Sequence, residues 1–272
     1  GYTVYGLLLA LAWVRLAAVD AALTEAAIGG GLTGVLLIRA AVRLRQTEAV
    51  SRAETPGPLF RVMAALVAAG IAAALAVVVL SLPEPGPTLA PHVAQHIATT
   101  GLGNAVTAVL LSFRAIDTLL EAVVLIFALI AVWTLTPDRF WGGLPGPKYE
   151  TDPNGMLAYL ARLLPPIGIV VAVYVLWVGA DLPGGKFQAG TLLAAMWLLA
   201  IMAGLTEAPP ISRRWLRGML VAGTVVFLVI GFAGVPLAGA FLAYPEGYAK
   251  PLIIAIEAAS MASIAFTLAL LV

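Results

Sequence analysis

The sequence predicts an all-α, polytopic membrane bundle of about eight transmembrane helices plus one short interfacial or half-helix. Three observations carry this prediction. Of 272 residues, 62% are hydrophobic and only 11% charged, and the mean hydropathy of +1.03 lies far outside the range of soluble domains. The apolar runs are about 17 to 23 residues long, the length a helix needs to cross a bilayer. They do not alternate in short segments as barrel strands do.

Taken in order, the predicted spans are Tyr2 to Ala18, Ala21 to Val42, Leu59 to Leu82, Ala115 to Leu135, Leu157 to Gly179, Phe187 to Leu205, Trp215 to Val235 and Pro251 to Val272. The first is short. The segment Gly103 to Phe113 is too short to cross alone and reads as the half-helix or interfacial helix. Two stretches rich in Pro, Gly and charge, residues 43–58 and 136–156, read as linkers between separately built units covering 1–42, 59–135 and 157–272.

Charge placement predicts the orientation. Arg39, Arg43, Arg45, Arg52, Arg61, Arg139, Lys148, Arg162, Arg213, Arg214 and Arg217 fall on alternate loops and helix ends, eleven of the 15 basic residues. The positive-inside rule puts that side in the cytoplasm, with both ends of the chain, and makes this a multi-pass protein of the cytoplasmic membrane.

The chemistry is expected where ionisable groups interrupt apolar runs. In NAVTAVLLSFRAIDTLLEAVVL, helical spacing places Arg114, Asp117 and Glu121 along one stripe. A charged group at a helix centre costs roughly 2.5–3.5 kcal/mol on insertion scales, so the stripe is expected to face protein or water. Either it is a structural ion-pair network, or Glu121 is a relay carboxylate with Asp117 and Arg114 as partners. Asp20 and Glu25 lie in VDAALTEAAIGGGLTG. There Gly30 and Gly34 have the spacing of a close helix contact, and Glu25 is either hydrogen-bonded in a packing face or part of an ion path. Glu257 stands two turns into the last span beside Ser260 and Ser263, with packed and functional readings evenly matched. The turn DLPGGKFQAG, Asp181 to Gly190, reads as a tight connection into a helix N-terminus. His92 and His96 read as solvated loop residues.

Several classes are excluded. A net charge of +1 with no basic, aromatic-interleaved cluster gives no case for nucleic acid. The absence of cysteine removes disulfides and thiolate metal sites, and no nucleophile–base pair or metal cluster is visible, so no enzyme, cofactor or metal is expected. Lys148, Lys186 and Lys250 all fall in loops or at helix ends, so no span carries the mid-membrane lysine of an antiporter-type pumping subunit.

Three motifs carry a resemblance. DAALTEAAIGGGLTGVLL, from Asp20, resembles the APDVALTEAAVGAGL signature of the small D-type subunits of archaeal membrane-bound hydrogenases and of the C-terminal region of the large A subunit in Mrp cation/proton antiporters. NAVTAVLLSFRAIDTLLEAVVL, from Asn104, resembles the NVVTxILxDFRGFDTLGE signature of the adjoining E-type unit. LPGGKFQAGTLLAA, from Leu182, resembles the PGGGFQGG segment of the Mrp B subunit. The resemblance implies a fusion of D-, E- and B-type units in a multisubunit ion-translocating complex, with Glu25 and Glu121 matching carboxylates on proposed proton or sodium paths. Arg114 and Asp117 match as well. This chain departs from the pattern at Ser112, where the family has Asp, at Leu120, where it has Gly, and at Lys186, which replaces the third glycine of PGGG. The D-type unit also usually begins with one more helix.

The expected function is that of an auxiliary membrane subunit of an Mrp-like or hydrogenase-like assembly. It contributes to a proton or sodium pathway through Glu25, Glu121, Asp117, Arg114, Asp20 and Glu257, beside an antiporter-type partner. The rival expectation is a non-conducting structural adaptor joining antiporter-like modules to a redox or carbon-uptake module.

Overall fold

The computed structural model describes residues 1–38, 40–41, 57–83, 86, 88–135, 152 and 154–271. The two predicted linkers, 43–58 and 136–156, lie almost wholly outside the described residues. All described secondary structure is helical. The helices are α1 Tyr2–Arg15, α2 Val19–Ile38, α3 Pro58–Leu80, α4 Ala90–Thr100, α5 Ala105–Phe113, α6 Ala115–Thr134, α7 Met156–Val178, α8 Lys186–Met202, α9 Arg214–Ala238 and α10 Ala249–Leu271.

Each predicted span therefore carries a helix, and so does Ala90–Thr100, where the sequence reads His92 and His96 as loop residues. Among the described residues six of them, α2, α3, α6, α7, α9 and α10, are long and apolar enough to cross a membrane. α1 and α8, with 14 and 17 residues, fall short of that length. The predicted half-helix is α5, which is bent 90° from α4 across a four-residue break and could make with it one broken span.

The chain divides into two compact units, residues 36–92 and residues 1–35 with 93–272. In the smaller unit, α3 is apolar all round and none of its residues is buried, the composition of a helix that lipid or another subunit surrounds. In the larger unit α1 packs on α2, α7 on α8, α8 on α10, α9 on α10, and α6 against both α9 and α10. Its central core joins Leu111, Leu119, Phe227, Ile253 and Ile256.

Small residues set the closest approaches. A Cβ on Gly6 would lie 2.7 Å from the Gly30 nitrogen, and Gly34 lies against Thr3, so the glycine-rich face of α2 is the seat of α1. A Cβ on Gly223 would lie 2.7 Å from the Ser260 Cα. There Ser263 Oγ enters the α9 backbone ladder. It accepts the Gly223 N–H at 2.7 Å and donates to the Met219 carbonyl at 2.8 Å.

Two helices widen into π-turns, at Glu25–Leu32 in α2 and Val109–Phe113 at the end of α5. The second leads into a break at Arg114, with φ −130° and ψ 36°. Carbonyls that a break frees inside a membrane bundle need other donors. Thr118 Oγ1 donates to the Leu110 carbonyl at 2.6 Å and Tyr244 Oη to the Leu111 carbonyl at 2.8 Å. Burial pushes the Tyr244 hydroxyl well above the ordinary phenol range, so it remains a donor.

Candidate functional site

The site is built where three separate segments meet at one end of the larger unit. Asp20 lies in the first turn of α2, where a carboxylate suits the helix dipole. Its Oδ1 accepts the Asn104 side-chain N–H at 3.1 Å and the Gly184 backbone N–H at 3.1 Å. Asn104 caps α5 by accepting the Val106 N–H at 2.8 Å, and its amide also donates to the Leu182 carbonyl at 2.9 Å. Thr107 Oγ1 donates to the Gly179 carbonyl at 2.6 Å. Thr24 Oγ1 donates to the Asp20 carbonyl and accepts the Gln188 side-chain N–H at 2.9 Å. The Asp20, Asn104 and Leu182 motifs of the sequence are thus one hydrogen-bonded cluster.

Outside the cluster, Asp181 accepts the Gly103 N–H at 3.2 Å and pairs with Lys250 at 2.7 Å. The Lys250 ammonium, as hydrogen-bond donor, holds the Asp181 carboxyl below its ordinary value of 3.8. A carboxyl lowered on folding adds stability above its unfolded value and loses it as pH falls through the lowered folded value. Lys250→Ala should therefore reduce the melting temperature slightly at about pH 7 and leave it unchanged at about pH 2. Because the pair is exposed, added salt should shrink the difference. An equal effect at both pH values in thermal melts would remove the ion pair as its cause.

The turn before α8 aims Lys186. Gly185 has φ +132°, a conformation that favours glycine, and its Cβ position lies 3.4 Å from a Glu257 oxygen. Lys186, the first residue of α8, is only 5% exposed. Its ammonium lies 5.5 Å from the centroid of the Phe187 ring and 5.9 Å from that of Phe227, within cation–π range. Glu257 is also 5% exposed. It takes the Lys186 backbone N–H as a hydrogen-bond partner and lies in electrostatic reach of the Lys186 ammonium and of Asp20, which places a carboxylate at the N-terminus of α8. Its Oε2 has no hydrogen-bond partner among the described residues.

A cavity of about 690 Å³ joins these groups. Asp20, Glu25 and Glu257 line it as carboxylates, with Thr24, Lys186 and Gln188; Trp13, Ile28, Leu110 and Phe187 form apolar wall. Glu25 is half-buried at the start of the α2 π-turn, its carboxylate folded over Gly29. π-turns recur at functional sites because they re-aim side chains without ending a helix. Among the described residues no group of His, Cys, Asp and Glu has the arrangement of a metal site.

The Arg114 stripe differs from its expectation. Because the backbone breaks at Arg114, that residue precedes α6 and does not share a continuous helical face with Asp117 and Glu121. Arg114 still pairs with Asp117, at 2.6 Å, but the side chains are 68% and 41% exposed. Glu121 is exposed on the wall of the unit, within electrostatic reach of Lys186. Thus Asp20, Glu25 and Glu257 share the cavity, Glu121 flanks it from the wall, and Arg114 and Asp117 do not line it.

Lys186 is the buried, cavity-lining charge that sequence reasoning misses, since there it reads as a lysine at a helix end. It is at a helix end, but a buried one. The signal is its position between Gly185 and the apolar run from Phe187, which places the side chain at the helix entry and not in a loop. Asn104 and Gln188, uncharged, give no comparable signal.

Residues 156–272 match the family model of a domain related to the MnhB subunit of a Na+/H+ antiporter, and residues 1–46 match the MbhD family model, which describes one of the MBH subunits. An uncharacterized protein of Methanocaldococcus jannaschii is 25% identical over 154 residues, covering 51% of this chain and 59% of that protein. The solved Mrp complex of a Dietzia species contains a chain that superposes with a TM-score of 0.67 at 24% identity, covering 99% of this chain and 31% of that one. A chain of the membrane-bound sulfane sulfur reductase, described as an archaeal respiratory membrane complex, superposes with a TM-score of 0.62 at 24% identity, covering 78% of this chain and 95% of that one. The two structural likenesses establish the fold. The present chain spans less than two thirds of the curated relative and about a third of the Mrp chain.

Proposed function

We propose that this chain, which matches MbhD over residues 1–46 and an MnhB-related domain over residues 156–272, is an Mrp-type membrane subunit that lines part of a proton or sodium pathway beside an antiporter-type partner. The middle region, 59–135, is in this reading the E-type unit between them. The observation that carries the proposal is the convergence of Asp20, Glu25, Glu257 and Lys186 on one cavity. A membrane bundle tolerates buried ionisable groups where they pair or meet water, and such groups commonly belong to ion routes.

Within the site the residues divide the work. Asp20 is held by two donors and pins α2 to α5 and to the turn before α8. Glu25 and Glu257 present carboxylates to the cavity, and Lys186 lies in electrostatic reach of Glu257 and Glu121. Glu121, on the outer wall, is positioned to hand a proton or cation to a neighbouring subunit. Arg114 and Asp117 shape the field there. Other subunits of the assembly are the natural cover for that wall, since an exposed carboxylate against lipid is costly.

Glu257→Gln in the intact complex is the test, with cation/proton exchange read in everted vesicles and assembly read by native gel. Exchange should fall by about tenfold or more, a barrier change on the order of 1.4 kcal/mol, with assembly unchanged. Normal exchange in an intact complex would sink the pathway reading. Loss of assembly, with the residual complex exchanging normally, would favour the structural adaptor, in which the same charges only lock helix packing.

A further inference from the structure

A separate cavity of about 500 Å³, sharing no lining residue with the ion-lined one, opens where α8, α9 and α10 meet the connection between α8 and α9. Its volume falls within the roughly 300–1,000 Å³ of small-molecule sites. Leu193, Ala262 and Ala265 form an apolar wall, Trp197, Trp215 and Phe266 supply three rings, and Glu207 supplies a carboxylate. The Phe266 ring meets Trp197 at 5.0 Å and 78° and Trp215 at 5.7 Å and 76°, both T-shaped. Rings set edge to face leave part of their π surface uncovered, and here that surface borders the cavity; Trp215 is 49% exposed.

The charges at this place are not neutralised within the chain. Glu207 is exposed in the connection, and among the described residues no salt bridge pairs it. Arg213, Arg214 and Arg217 flank Trp215 at the start of α9, yet none of them closes on Glu207. Arg217 Nε donates to the Ile211 carbonyl at 3.2 Å, and a guanidinium carries further N–H donors beyond that one. An ammonium is attracted to a ring face within about 6 Å, Trp best of all, and to a carboxylate. Guanidinium groups take phosphate. A ligand that brings both charges on an apolar body matches the whole arrangement. A basic side chain of another protein would suit Glu207 and the rings but would approach three arginines with nothing to offer them. The segments that frame the cavity also expose Met202, Leu205 and Met219, and tryptophan at helix ends is the common residue of the boundary between membrane and water.

We propose that this cavity binds a zwitterionic phospholipid with an ammonium headgroup. The ammonium sits against Trp197, Trp215 and Glu207, the phosphate faces Arg213 and Arg214, and an acyl chain runs along Leu193, Ala262 and Ala265. A lipid held in this way bridges α8, α9 and α10 at one end of the bundle. None of these residues belongs to the ion route, so the site stands or falls apart from that reading. Selectivity follows from Glu207: an anionic phospholipid without the ammonium brings only negative charge to a place where a carboxylate and the negative ring faces already stand.

The test uses the intact complex in mild detergent, stripped of lipid and titrated with phosphatidylethanolamine or, in a parallel arm, with phosphatidylglycerol of the same acyl chains. Bound lipid is read by native mass spectrometry. Glu207→Gln and Trp197→Leu should each weaken the tightest phosphatidylethanolamine binding by about fivefold or more and leave phosphatidylglycerol within about twofold of the parent. Arg213→Gln with Arg214→Gln should weaken both lipids. Phosphatidylethanolamine binding that neither Glu207→Gln nor Trp197→Leu changes overturns the proposal. An equal loss of both lipids in those two variants does so as well, since packing and not the ammonium would then be responsible. If Glu207→Gln releases another subunit while the remaining complex binds phosphatidylethanolamine as before, the carboxylate serves a basic side chain of that subunit and the lipid assignment is wrong. Should Trp197→Leu fail to assemble, Glu207→Gln, a change in an exposed connection, decides alone on the same terms.

Discussion

Lys186→Met should destabilise the complex by about 1 kcal/mol, below the range for breaking a direct buried ion pair, because the Lys186 ammonium and Glu257 lie in electrostatic reach without a salt bridge between them. The mechanism lies in what remains after the substitution. Glu257 is 5% exposed, and its carboxylate would lose the ammonium that balances it while keeping the cost of its burial. The cost is held down further because the large cavity reaches both residues and gives the carboxylate some access to water. The stem of Lys186 packs at the rings of Phe187 and Phe227, contacts that methionine largely keeps.

A double substitution separates charge from packing. Lys186→Met combined with Glu257→Gln removes both charges, and replacing a whole buried pair is often close to neutral. Thermal melts of the purified complex should therefore place the double variant nearer the parent than Lys186→Met alone, an interaction that a double-mutant cycle reads directly. Exchange should nevertheless stay low in the double variant, because Glu257 no longer titrates. A Lys186→Met complex that melts with the parent would mean that the ammonium does not stabilise Glu257 in the folded protein.

How much of this was legible in the sequence follows from what hydropathy measures. Length and apolarity located every described helix but α4, because each helix in a bilayer has to satisfy its backbone internally. Charge inside an apolar run located Asp20, Glu25 and Glu257, and all three reach the cavity. Helical spacing alone could not foresee the break at Arg114, which depends on Thr118 and Tyr244 capturing the Leu110 and Leu111 carbonyls from elsewhere in the chain. Nor could it foresee the burial of Lys186. A lysine beside Pro and Gly looks solvent-facing until the turn that carries it folds inward against α2 and α10.

That inward turn is itself the second large sensitivity. Gly184→Ala should dislodge the N-terminus of α8, because a Cβ there would be driven into the Val175 carbonyl oxygen with the Gly179 nitrogen and Cα both 3.3 Å away. These are backbone atoms, so no rotamer change relieves the overlap. The Val175 carbonyl is also the acceptor of the Gly185 N–H at 3.1 Å, and the Gly184 N–H is a donor to Asp20. Moving the turn therefore breaks the bond to Asp20, withdraws Lys186 from Glu257 and opens the joint between α2 and α8 together. The expected cost is about 3 kcal/mol, the upper end for overpacking, with exchange lost alongside. Asp20→Asn serves as the control: it removes a charge but retains an oxygen for the same donors, and should cost only about 1 kcal/mol. Equal melting temperatures for Gly184→Ala and Asp20→Asn would show that the turn has room to move, and that the position of Lys186 is not fixed by it.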